Sequence, residues 1–221
     1  MMNRRELIKN IYEILEEEVK NNPVSYNKEK PYQAYERIGF KGLRWSVEKR
    51  ISEYKLQRFF DKEHTVLDIA SNTGFFTVEF AHECKMVHGI EPNKWLNEIG
   101  LLTADFLNVA HKVKFLDMKF FDYEATANYN VVLSLAAFFT QDGRERSDAS
   151  EYFGRIHDHL KIKGELFYES TSYTKDNSNP HYQAKRAAIL SIHKNFRNIQ
   201  QWETPSGSPE YFRQFAIAQK Q

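Results

Sequence analysis

Cysteine is almost missing from this chain: Cys84 is the one thiol in 221 residues. A single thiol closes no internal disulfide and builds no multi-cysteine zinc site. Its setting, Ala81-His82-Glu83-Cys84-Lys85, reads as a half-buried structural thiol at a helix end. An excess of charge is missing too, since 31 Lys and Arg stand against 30 Asp and Glu for a formal charge of +1. That excludes the strongly basic composition of a general nucleic-acid binder, although a local basic face would not register in the totals. No apolar run approaches membrane-spanning length. Met1-Met2-Asn3-Arg4-Arg5-Glu6 leads into no apolar h-region, so no signal peptide is read there. A soluble cytoplasmic protein is the expectation. The histidines have no metal-like spacing, and His157 and His159, two apart on a helix, face different ways, so no metal site is expected. Nowhere does the chain carry the Gly-x-Gly-x-x-Gly of a dinucleotide fold.

What is present is a globular composition, 41% hydrophobic and 14% aromatic, in a length that suits one domain with an N-terminal extension. Leu7, Ile11, Ile14, Leu15 and Val19 are spaced as one face of an amphipathic helix over residues 3–20, which Asn21-Asn22-Pro23 stops. Residues 23–45 hold Tyr26, Tyr32, Tyr35, Phe40, Arg44 and Trp45 without a clear period. They read either as an ordered loop pinned by aromatics or as a lid over a bound cofactor. The expected division is therefore 1–45, helix and lid, and 46–221, the main domain. Ser46 caps the next helix, with Lys49 where a capping box would place Glu.

Strands and helices then alternate. Strands are expected at 65–70, 85–90, 112–116, 130–135 and 164–170, with helices at 75–84, 94–109 and 147–161. Val131-Val132-Leu133-Ser134-Leu135 is apolar on both faces, as a central parallel strand is. After a helix near 182–195, two strand-like runs at 199–203 and 212–218 flank Thr204-Pro205-Ser206-Gly207-Ser208-Pro209. That linker is too short for a crossover helix, so the last two strands form an antiparallel hairpin. The fold class is α/β: a Rossmann-like, doubly wound, three-layer αβα arrangement around a seven-stranded, mostly parallel sheet whose last strand is antiparallel.

The chemistry gathers at Val66-Leu67-Asp68-Ile69-Ala70-Ser71-Asn72-Thr73-Gly74-Phe75-Phe76, a strand, a tight turn and a helix start. Such a turn aims backbone N–H groups and a helix N-terminus at whatever lies above the strand. Ala70 and Asn72 stand where glycines would admit a pyrophosphate, which favours a cofactor with a smaller polar end. Twenty-three residues after Asp68, Glu91 ends the second strand, where an acid accepts hydrogen bonds from both hydroxyls of a ribose.

Asp68-x-Ala70-x-Asn72-x-Gly74, then Glu91, the strand Asn130–Leu135 and Gly164 before a strand together resemble the class I S-adenosylmethionine-dependent methyltransferases, over about residues 40–218. Two branches look most similar, one acting on bacterial surface polysaccharide and one alkylating the wobble uridine of tRNA. The resemblance implies S-adenosyl-L-methionine as cofactor. Backbone groups from Ala70 to Gly74 would hold its methionine end, Glu91 (followed by Pro92) its ribose, and Asp117 the adenine amino group, although Lys119 competes for that place by strand register. Phe120 would flank the adenine ring. Ser134 and Leu135 would approach the sulfonium, and Arg44 would meet the carboxylate. Phe138, Phe139, Tyr173 and His181 would wall the acceptor pocket, with core packing the competing reading for the two phenylalanines. Phe139-Thr140 stands where relatives often carry a histidine pair, leaving Glu169 at the end of the fifth strand as the one nominated base.

The implied activity is methyl transfer to a small-molecule or glycan acceptor, on oxygen. Two alternatives stand beside it. One is a tRNA-modifying enzyme using Lys28, Lys30, Arg37, Lys41, Arg44, Lys49 and Arg50. The other is a non-catalytic cofactor-binding protein, suggested by the two missing glycines.

Overall fold

The computed structural model describes residues 2–124, 129–140 and 148–221. Met1 and Ser147, which fall in the expected N-terminal segment and at the start of the expected helix 147–161, lie outside the described residues. Helices are α1 (Arg4–Asn21), α2 (Val47–Glu53), α3 (Phe75–Glu83), α4 (Lys94–Phe106), α5 (Ala137–Thr140), α6 (Ala149–His159) and α7 (Pro180–Asn195). Strands are β1 (Thr65–Ile69), β2 (Met86–Ile90), β3 (Val113–Leu116), β4 (Tyr129–Leu135), β5 (Leu160–Glu169), β6 (Arg197–Ser206) and β7 (Ser208–Gln219). They form one seven-stranded sheet in the order β3-β2-β1-β4-β5-β7-β6. The β1–β4, β2–β3 and β4–β5 pairs are parallel, while β7 is antiparallel to both β5 and β6. Among the described residues, no helix is long and apolar enough to cross a membrane.

The chain packs as two compact units: Met1–His64 with Ser71–Phe120, and Thr65–Ala70 with Phe121–Gln221. In the first, α1 lies on α4. Its buried positions are Leu7, Ile11, Leu15 and Glu18, so a carboxylate continues the apolar stripe where periodicity alone favours Val19. Asn3 and Glu6 close a reciprocal capping box at its start. Ser46 caps α2 through the Lys49 N–H, and Glu at Lys49 would have completed the box. Cys84 is fully buried at the end of α3, its thiol directed at the Phe59 carbonyl. In the second unit, Val131, Val132 and Leu133 of β4 are fully enclosed, as a central strand requires.

Several boundaries differ from expectation, α4 ending at Phe106 rather than 109 and β6 and β7 running longer than expected among them, and two have a clear physical reason. β5 begins at Leu160 rather than Gly164, because Leu160 is buried and pairs with Tyr129 before the register shifts, with Lys163 left-handed at φ 63. The final hairpin turns on Gly207 alone, at φ 83, and Thr204, Pro205 and Ser206 continue β6. Pro205 is tolerated because β6 is the sheet's edge, where a missing N–H costs no ladder bond.

Candidate functional site

The turn after β1 forms without its two absent glycines. Ala70 closes the second unit's segment at φ 55, two residues after Asp68, whose side chain is buried. In the first unit Asn72 takes φ 54 and Gly74 φ 71. Asparagine enters this left-handed region readily, whereas alanine there costs on the order of 1 kcal/mol relative to glycine. Ser71 N–H donates to the Ile90 carbonyl (3.0 Å) and Gly74 N–H to the Ser71 carbonyl (3.0 Å), which pins the turn to the end of β2. A Cβ on Gly74 would lie 2.4 Å from the Phe115 ring. The same ring would meet a Cβ on Gly100 at 2.5 Å and on Gly89 at 2.9 Å. Gly74 is therefore required by packing as well as by its φ.

Glu91 is fixed by two backbone donors. Asn72 N–H donates to its Oε2 (3.1 Å) and Asn93 N–H to its Oε1 (3.0 Å). The turn and the start of α4 thereby orient one carboxylate at the end of β2. Pro92, between Glu91 and Asn93, is exposed. Asn97 Nδ2 bridges the Glu91 carbonyl (2.7 Å) and Asp117 Oδ1 (2.5 Å), so the acid after β3 is tied to the same corner, and Lys119 is exposed. Three buried acceptors here, Ser71 Oγ, Asn72 Oδ1 and Asn97 Oδ1, have no hydrogen-bond partner among the described residues. Buried polar atoms are nearly always satisfied, so such a group calls for a ligand or an ordered water. Sequence reasoning did not single out Asn97 or Ser71; their signal is geometric.

Residues 23–45 are an ordered strap. Glu79 of α3 accepts from Tyr35 Oη (2.6 Å) and, in a fork, from Arg37 Nε and Nη2 (both 2.7 Å). Burial pushes the Glu79 carboxyl up, but the Arg37 and Tyr35 hydrogen bonds and the Arg37 charge outweigh it and hold the group below the ordinary carboxylate range. Thr73 Oγ1 of the turn donates to Gln33 Oε1 (3.0 Å), joining strap to turn. Arg44 is half-buried, its guanidinium 6.0 Å from the Tyr32 ring centre. Phe120 is buried.

In the second unit, Ser134 at the end of β4 is enclosed, its Oγ 2.9 Å from Tyr152 Oη, and Leu135 is half-buried. Phe138 is buried against Tyr152 and Phe153, with ring centres 5.2 and 5.4 Å away, which is core packing. Phe139 stacks on His181 at 3.6 Å, and His181 Nδ1 lies 2.8 Å from Thr171 Oγ1. Tyr173 is fully buried and donates to Glu203 Oε2 (2.5 Å). Glu169 is fully buried and accepts from Arg213 Nη1 at 2.8 Å; the same nitrogen donates to the Ser170 carbonyl (3.1 Å). Arg213 was not expected at the site, though a lone cation in the apolar run of β7 was its signal. Among the described residues no cluster of three or more metal-ligating side chains exists.

The structure thus gathers Asn72, Gly74, Glu91, Pro92 and Asp117 at one corner of the first unit. The second unit carries Asp68 and Ala70 after β1, Ser134 and Leu135 on β4, the Phe139–His181 stack and the buried Glu169–Arg213 pair.

No protein-family model matches the sequence, and no curated protein matches it by sequence. Solved structures do match in fold. MccD superposes with a TM-score of 0.64 at 14% identity, covering 79% of this chain and 97% of its own. The N-methyltransferase NodS from Bradyrhizobium japonicum, in complex with S-adenosyl-L-homocysteine, gives 0.60 at 10% identity, covering 78% and 86%. A tRNA methyltransferase, TrmI from Aquifex aeolicus, gives 0.58 at 15% identity, covering 83% and 73%. The fold is that of the class I S-adenosylmethionine-dependent methyltransferases.

Proposed function

We propose that this chain is a soluble, cytoplasmic S-adenosylmethionine-dependent methyltransferase acting on oxygen of a small-molecule or glycan acceptor, with residues 1–45 as helix and lid and 46–221 as the catalytic domain. The observation that carries the reading is the Glu91 carboxylate at the end of β2, oriented by N–H groups of the turn and of α4. The residues fit an adenosyl group: Glu91 for the ribose hydroxyls, the orphaned Asn72 Oδ1 and Asn97 Oδ1 as further acceptors, and Asp117 within reach of Asn97 for the adenine amino group. Ala70 to Gly74, Arg44, Phe120, Ser134 and Leu135 complete the proposed cofactor set.

The cofactor would supply an electrophilic methyl on a sulfonium. The protein's own task is then alignment, and holding nucleophile and methyl in line supplies about 7–11 kcal/mol in favourable cases. A hydroxyl acceptor must also lose a proton. Glu169 is the group proposed to take it, with Arg213 holding its carboxylate in place and Phe139, Tyr173 and His181 forming the acceptor side.

Calorimetry with S-adenosylhomocysteine tests the cofactor reading. The wild type is expected to bind, and Glu91→Ala to lose about tenfold or more in affinity through the missing charged acceptor. Absence of wild-type binding would remove every enzyme reading and the cofactor-binding alternative with them. A labelled-methyl screen of glycans, small acids and tRNA, run with wild type and Glu169→Gln, tests the acceptor. Glu169→Gln should abolish transfer to a hydroxyl at unchanged S-adenosylhomocysteine affinity, and unaltered turnover would strip Glu169 of its role.

One surface favours the tRNA reading as second. Trp45 is 55% exposed with Lys49 Nζ 4.2 Å over its ring, and Leu43 and Tyr26 are exposed on the same segment. Against it, Arg37 is taken by Glu79, and Arg50 is buried over Phe76. Salt-sensitive tRNA binding would promote this reading, and none at low salt would end it.

A further inference from the structure

We propose that Glu18 is a positioning residue for the adenosyl cofactor: it folds residues 22–27 into a fixed loop and holds Tyr26 over the Glu91 end of β2. The inference rests on the cofactor reading above.

Glu18 is 1% exposed and receives four donors on its two oxygens. Asn22 Nδ2 (2.7 Å) and Asn93 Nδ2 (3.0 Å) donate to Oε1. Asn27 Nδ2 (3.2 Å) and Ser25 Oγ donate to Oε2. No cation is among these donors. The loop then closes on itself: Val24 N–H donates to Asn22 Oδ1 (3.2 Å), Asn27 N–H to Ser25 Oγ (3.0 Å), and Tyr32 N–H to Asn27 Oδ1 (2.9 Å). Every polar residue from Asn22 to Asn27 is thus organised by one carboxylate.

Asn93 connects that carboxylate to the cofactor corner. Its backbone N–H donates to Glu91 while its side chain donates to Glu18, so the two acids are joined through a single residue. Between the Glu18-bound Ser25 and Asn27 stands Tyr26, its ring centre 5.7 Å from that of Tyr32. Partial burial first, then Tyr32 and the Glu91 charge, raise the Tyr26 hydroxyl above its ordinary pKa.

Docking of α1 does not need this arrangement. Leu7, Ile11 and Leu15 already bury its stripe, and a leucine at 18 would avoid the cost of desolvating a carboxylate. The loop so built leaves Val24 and Tyr26 each 61% exposed, which gains little from folding alone and is explained by a ligand that covers them.

The test combines calorimetry with S-adenosylhomocysteine and hydrogen exchange on wild type, Glu18→Gln and Tyr26→Ala. In the wild type, S-adenosylhomocysteine is expected to slow exchange of residues 22–32. Glu18→Gln keeps one carbonyl acceptor and presents an NH2 to the other two donors; it should weaken affinity about tenfold and lose the ligand-induced slowing at 22–32, with exchange across α4 unchanged. A purely structural Glu18 would shift the melting temperature without touching the ligand-induced slowing. Wild-type binding with Glu18→Gln within twofold and equally slowed would overturn this inference and leave the cofactor reading standing. A wild type that does not bind sinks both. Should Glu18→Gln fail to fold, Tyr26→Ala decides, since it leaves all four Glu18 bonds in place: several-fold weaker binding supports the proposal, and affinity within twofold overturns it.

Discussion

Among the carboxylates that hold the chain between α1 and α2, Glu79 and Glu18 differ in chemistry. Residues 33–46 are clamped by Glu79 through a forked Arg37 and the buried Tyr35 hydroxyl, and Tyr35, Ile38 and Phe40 go into the core. Residues 22–27 are clamped by Glu18 through amides and a hydroxyl, and that loop turns Val24 and Tyr26 outward. A charged fork beside a buried phenol makes a fixed wall, because releasing it leaves the Tyr35 hydroxyl enclosed without its acceptor. Neutral donors around a buried acid fix the loop's backbone but leave Val24 and Tyr26 outside the core. The strap therefore reads as scaffold in its second half and as cover in its first.

Breaking the stronger clamp should have the largest effect. Glu79→Ala leaves Tyr35 Oη buried without its acceptor and Arg37, 40% exposed along its side chain, without its fork. A cost of about 2–4 kcal/mol is expected, reduced from the fully buried case because Arg37 reaches solvent. Urea unfolding measures it, and a loss under about 0.5 kcal/mol would erase the contrast between the clamps. Acid should dissolve the same clamp by degrees. The Glu79 carboxyl lies below its unfolded value, so its contribution is complete above about pH 4.3 and disappears as pH falls through the lower folded value. The stability gap between wild type and Glu79→Ala should narrow from pH 6 towards pH 3; a constant gap would mean that packing, not the ion pair, carries it. Smallest is the effect of Glu18→Gln on global stability, about 1 kcal/mol, because two donors keep a carbonyl. A loss as large as that of Glu79→Ala would make the N-terminal loop scaffold too.

The parts of this molecule legible in the sequence are those decided locally. Ser46 announces a cap by its chemistry, the apolar run at 131–133 announces a central strand, and an acid 23 residues after Asp68 announces the second strand's end. What was not legible depends on partners far away in the chain. Glu18 looks like one of three consecutive surface acids, Glu16 to Glu18, until Asn93 and the asparagines after α1 fold around it. The early start of β5 depends on Tyr129 offering Leu160 a partner, and the tight hairpin depends on β6 being an edge that can absorb Pro205. Glu169 could be placed at a strand end from its neighbours, but its engagement by Arg213 lies 44 residues away and carries no local sign.

The Phe115 ring has a consequence for how this chain can change. It occupies the space that three separated glycines leave open, at positions 74, 89 and 100. Those positions do not vary independently: a methyl added at any one meets the 115 ring, and a smaller residue at 115 would ease position 100 most, while a Cβ at 89 would still lie 2.8 Å from Ser71 Oγ and position 74 would keep its left-handed φ of 71. The glycine of the turn, which looks like a signature of ligand contact, is thus also a hostage of one aromatic side chain on β3. A change at 100 should therefore follow a smaller residue at 115 as a compensated pair, whereas 89 and 74 answer to Ser71, Thr77 and the backbone as well.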